Sequence, residues 1–99
     1  MPAIERIQEM ESHLKEIQSF FEDFDQDLAK FEAIKPQLEA LEAYYGSEEW
    51  FDDFDAYEDG SMPEDLTYQV LSEDGVYDCL VDKHRIALAL LDLARDLLA

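Results

Sequence analysis

The chain has a single cysteine, three glycines, three prolines and only seven Lys and Arg residues. With Cys79 alone, no intramolecular disulfide framework can form, which fits a reducing compartment such as the cytoplasm. Gly46, Gly60 and Gly75 stand far apart, so no glycine-rich phosphate loop is present. No stretch approaches the ~18 apolar residues that span a bilayer. The opening Met-Pro-Ala-Ile-Glu-Arg lacks the basic segment and apolar run of a secretory signal. The expectation is a cytoplasmic protein that contacts no membrane.

Groups for catalysis are equally scarce. The two histidines are His13, with Glu9 one turn before it, and His84, beside Asp82 and Lys83. Neither belongs to the inward Glu-x-x-His pair of a di-iron bundle or to His-Glu-x-x-His. Asp78 and Asp82 flank Cys79 and disfavour its thiolate, so a buried packing role is expected for it. An EF-hand loop begun at Asp55 puts Gly60 at the required sixth position, but Tyr57 and Leu66 then occupy positions that need oxygen ligands. The expectation is a non-enzymatic chain with no catalytic residue, no metal site and no cofactor.

What the chain has instead is acid: 26 Asp and Glu, for a net charge of −19. Eleven of these lie between Ser47 and Gly75, where there is no Lys or Arg. Such a surface repels nucleic acid and anionic lipid and attracts basic proteins. A hydrophobic content of 47% with 12% aromatic residues is too rich for a disordered acidic tail. Carboxylates crowded without basic neighbours also predict that mild acid relieves repulsion and stabilises the fold.

Periodicity predicts an all-α fold in one domain, residues 1–99. Ile7, Leu14, Phe21 and Leu28 recur every seven residues, interleaved with Met10, Ile17, Phe24, Phe31, Leu38 and Tyr45. This is the seam of a helix that packs against other helices. The predicted first helix covers 3–45, bent or briefly interrupted near Pro36, whose missing amide costs one hydrogen bond. Gly46 is a natural stop.

Residues 47–74 read as an acidic segment with two short helices. Ser47 caps the first, in which Trp50, Phe51, Phe54 and Tyr57 share an arc of ~120°. Glu48, Glu49, Asp52, Asp53, Asp55 and Asp59 take the other side. Ser61-Met62-Pro63-Glu64 has capping-box spacing and predicts a second short helix presenting Leu66 and Val70. Ser72-Glu73-Asp74-Gly75 introduces the last helix, 75–98, whose apolar residues encircle it from Ile86 onward. A helix of that kind is expected in the middle of a helical bundle.

Two stretches carry a resemblance: Tyr44-Tyr45-Gly46-Ser47-Glu48-Glu49-Trp50 and Leu71-Ser72-Glu73-Asp74-Gly75-Val76-Tyr77. With Phe31-Glu32-Ala33 and the Pro36-x-Leu38-x-x-Leu41 run before them, they resemble the small acidic bacterial family termed domain of unknown function 4298. The likeness spans most of the chain. It implies that both boundaries belong to one architecture, and it brings no catalytic residue.

The expected function is therefore a non-enzymatic acidic protein that engages a basic protein surface, as a nucleic-acid mimic or inhibitor in its sharper form. The expected contact set is Glu48, Glu49, Asp52, Asp53, Asp55, Glu58 and Asp59, with Tyr57 as the exposed anchor and residues 64–74 adding to the surface. No direct nucleic-acid contact is expected. The alternative is a structural, self-associating helical protein whose acidity only keeps it in solution, a homodimer through Ile7, Leu14, Phe21 and Leu28.

Overall fold

The computed structural model describes residues 1–72 and 74–99 and is all-helical, in the order α1 (Pro2–Tyr44), α2 (Glu48–Glu58), a 3-10 turn (Gln69–Leu71) and α3 (Gly75–Leu98). Glu73, one of the acids of the last boundary, lies outside the described residues. The described residues form two compact units, Met1–Pro36 and Gln37–Ala99, and α1 belongs to both.

The first unit is helix throughout, and the helix continues through Pro36 without a break. Its predicted seam is exposed: Ile7, Leu14, Phe21 and Leu28 keep between 45% and 59% of their surface in contact with solvent. Phe20 stacks on Phe24 along the same helix, ring centroids 6.0 Å apart. The charges pair locally, Lys30 with Asp27 and Lys35 with Glu32, each three residues apart on an exposed surface. Exposed pairs of this type contribute ~0–1 kcal/mol each.

The second unit is organised around its junctions. Gly46 has φ 83°, a left-handed conformation without a Cβ penalty, and turns the chain out of α1. Ser47 then works in two directions. Its Oγ donates to the Tyr44 carbonyl at 2.6 Å and accepts from the Trp50 amide at 3.2 Å, closing α1 and opening α2. Ser72 repeats this relay: its Oγ donates to the Gln69 carbonyl at 2.7 Å and accepts from the Gly75 amide at 3.0 Å. In both cases one hydroxyl satisfies a carbonyl three residues back and an amide three residues ahead, groups that a helix end leaves unpaired.

The second expected short helix is reduced to the single 3-10 turn. Ser61 does not cap a helix forward toward Glu64. Its amide donates to Asp59 Oδ1 at 2.9 Å and its Oγ to the Ala56 carbonyl at 3.0 Å, so it finishes α2 instead. The Pro63 carbonyl is taken by the Tyr68 hydroxyl, which holds 63–68 as a loop. Leu66 and Val70 are consequently exposed, and Leu71 points inward.

Leu71 and Val76, at 5% and 1% exposure, are the buried hydrophobic residues among those described. Aromatic packing extends this small core. Trp50 stacks on Phe54 (5.4 Å, 12°) and meets Tyr45 and Phe51 edge-on. Lys83 of α3 bonds Glu42 near the end of α1 at 2.8 Å. Beyond its first turn α3 departs from the expected central position: Leu88, Leu91, Leu93, Leu97 and Leu98 are exposed. Cys79, expected to be a buried packer, is exposed and free, because the 3-10 turn covers only the start of α3 and Val76 fills that contact.

Candidate protein-binding surface

Helix α2 is acidic by composition and uncompensated by structure. Glu48 and Glu49 lie in its first turn, where the positive end of the helix dipole favours them. Glu58 and Asp59 lie at its other end, where no basic residue is present in the last turn. The ion pairs found among the described residues all lie in α1 and α3 or join them. None involves residues 48–72, so the anionic field of this segment is left to solvent and to whatever meets it.

The expected contact residues separate into two groups. Glu48, Glu49, Asp52, Asp55 and Glu58 are exposed and carry no hydrogen bond to another side chain among the described residues. Asp53 is half-buried, and its Oδ2 accepts from the Tyr44 hydroxyl at 2.6 Å. That bond, reinforced by burial and by the charges of Asp53 and Glu49, pushes the Tyr44 phenol up to about 12. Asp59 is exposed but tied to Ser61, and hydrogen bonding by that serine holds its carboxyl below the usual carboxylate value. Asp53 and Asp59 thus have positioning duties inside the fold. For Asp59 the displacement runs opposite to the rise expected from crowding alone.

Among the aromatics, Trp50 and Phe54 are half-buried, whereas Tyr57 is 41% exposed and Phe51 is 56% exposed. Tyr57 offers part of its ring to solvent. Phe51 is a second exposed aromatic that periodicity assigned to the apolar arc. Its edge-on contact with Trp50 anchors one side of its ring and leaves the rest to solvent. An apolar arc of ~120° predicts which side chains are neighbours on a helix, but not how much of that arc the rest of the chain covers.

Tyr57 also opens onto a groove of about 630 Å³ at the C-terminal end of α2, lined in part by Met62, Pro63, Glu64, Leu66 and Tyr68. The Tyr57 and Tyr68 rings meet at 4.9 Å with a tilt of 40°. The spacing of residues 61–64 pointed to a helix here, and the groove exists because that helix is replaced by a loop.

His13 sits 3.7 Å from Glu9 on the exposed surface of α1. Among the described residues, no group of three His, Cys, Asp or Glu is arranged to hold a metal ion. Among the described residues, no helix is long and apolar enough to cross a membrane.

No curated protein and no solved structure matches the chain. Residues 7–93 match the family described as Domain of unknown function (DUF4298), and with that span most of the chain is accounted for: it belongs to this family.

Proposed function

We propose that the chain is a non-enzymatic binding protein of the cytoplasm that presents α2 to a basic protein surface. The observation that carries this reading is the unpaired acid of α2: five exposed carboxylates on an eleven-residue helix, with no ion pair among the described residues. Such a field steers a positively charged partner and sets its register, while exposed aromatics supply the buried contact. Glu48, Glu49, Asp52, Asp55 and Glu58 are the steering charges, and Phe51 and Tyr57 the anchors. In the mimicry form of this proposal the partner is a nucleic-acid-binding protein. Carboxylates one helical turn apart stand in for phosphates, which in duplex DNA place one charge per ~1.7 Å of axis.

The test is affinity capture from a cell lysate with the wild type beside a variant carrying Asp52→Asn and Asp55→Asn, each at two salt concentrations. Asp53 is left in place because it holds Tyr44. A basic protein retained by the wild type, and lost with either the substitutions or added salt, supports the proposal. Retention indifferent to both removes it.

A second reading is favoured by the exposed seam of α1, which fits self-association through Ile7, Leu14, Phe21 and Leu28. Sedimentation of the wild type beside Phe21→Gln distinguishes it. A dimer that becomes monomeric on substitution supports this reading, and a monomeric wild type at micromolar concentration ends it.

A further inference from the structure

We propose that the groove lined by Tyr57, Glu64 and Tyr68 is the seat of an arginine side chain from the basic partner. This deepens the reading above by naming the group that the anionic surface receives. Three features converge on a planar cation. The two tyrosine rings are tilted by 40° at 4.9 Å and do not close face to face, and Tyr57 retains exposed ring surface. Cations bind aromatic faces within ~6 Å of the centroid, and a guanidinium also stacks on them.

Glu64 lines the same groove and is exposed, without an ion pair among the described residues. A guanidinium can fork its paired N–H groups onto a carboxylate while its plane rests on a ring. The groove also lies at the C-terminal end of α2, the negative end of the helix dipole. Glu58 and Asp59 sit at that end with no lysine or arginine in the last turn, so dipole and carboxylates add instead of cancelling.

Shape agrees with chemistry. The groove is large enough for one long side chain and the backbone that presents it, within the ~300–1,000 Å³ of ordinary ligand sites. Leu66 on its wall is 58% exposed and offers an apolar surface to the methylene stem. Lysine would use the carboxylate and one ring but could not stack or fork, so arginine is the favoured occupant.

The probe is a short capped peptide, Gly-Arg-Gly, compared with the same peptide carrying citrulline, which keeps the shape and removes the charge. Amide resonances of the labelled full chain are followed during titration at low ionic strength. The arginine peptide is expected to shift resonances of Tyr57, Leu66, Tyr68 and Gln69, and the citrulline peptide to leave them in place. Tyr57→Leu and Glu64→Gln should each weaken binding about fivefold, whereas Glu11→Gln, an equal charge change on α1, should weaken it less than about twofold. Far-UV circular dichroism verifies that each variant stays helical.

Shifts spread along Glu48–Asp55 and insensitive to Tyr57→Leu would overturn the groove while leaving the basic-partner reading intact. Equal response to arginine and citrulline, or no response at all, would also overturn it. Lysate retention indifferent to both the Asp52/Asp55 substitutions and added salt, with arginine binding kept here, would separate the two proposals in the other direction.

Discussion

The indole Nε1 of Trp50 donates to the carbonyl oxygen of Val70 at 2.8 Å, joining the first turn of α2 to the 3-10 turn twenty residues later. This bond and the Leu71–Val76 contact region hold the second unit together where little else is buried. Replacing Trp50 with Phe keeps an aromatic ring against Phe54 and Tyr45 but leaves the Val70 carbonyl without its partner. The expected loss is ~1–2 kcal/mol, read from urea unfolding followed by circular dichroism. An unchanged midpoint would show that water replaces the indole without cost.

Ser47→Ala and Ser72→Ala each remove a hydroxyl that serves two backbone groups. Each should cost ~1 kcal/mol, the usual range for a lost helix cap. The two relays meet through Trp50, whose amide is held by Ser47 and whose indole is held by the 3-10 turn that Ser72 closes. The double variant should therefore depart from additivity by at least ~0.5 kcal/mol. Simple addition would mean that the two junctions are independent.

Much of this arrangement is legible in the chain, and the limits of that legibility are physical. Ser47 and Gly46 announce the end of α1 and the start of α2 because capping is a local transaction between a side chain and its own backbone. The acidic face of α2 is equally local. Ser61 misleads for the same reason: its spacing to Glu64 satisfies a capping box, yet the Ala56 carbonyl and Asp59 compete for the same serine and win. Leu71, Phe51 and the Trp50–Val70 bond depend on which segment covers which, and no periodicity carries that information. Tyr44 and Asp53, nine residues apart across a turn, lie beyond the reach of a single helical face.

The Tyr44–Asp53 bond gives a pH prediction. Tyr44 ionises near 10.0 in the absence of such interactions and at about 12 in the fold. A folded value above the unfolded one stabilises the protein below pH ~10, and that contribution is lost as pH rises toward ~12. Wild-type stability should fall across this window, and Tyr44→Phe should fall less steeply. Spectrophotometric titration offers an independent check: one of the five tyrosines should ionise late. Parallel stability curves for the two proteins would contradict the assignment.

Gly75 begins α3 where the 3-10 turn presses against it. A Cβ there would stand against the Gln69 carbonyl oxygen and 2.8 Å from Ser72 Oγ. Alanine gains up to ~1 kcal/mol over glycine inside a helix. Crowding against backbone costs ~1–3 kcal/mol, and a carbonyl cannot rotate aside as a side chain can. Gly75→Ala is thus expected to destabilise, with a lower urea midpoint and reduced helix content. A stabilised variant would show that the 3-10 turn yields easily.

The gap in basic residues between Lys35 and Lys83 has a further chemical consequence. Trypsin does not cut the Lys35–Pro36 bond, so a complete digest releases residues 31–83 as one peptide carrying both relay serines, Trp50 and the tyrosine groove. Amine-reactive dyes and cross-linkers likewise modify α1, α3 and the amino terminus but find no amine between those lysines. Labels attached through lysine therefore leave the acidic face chemically untouched, whereas carboxylate-activating reagents reach it.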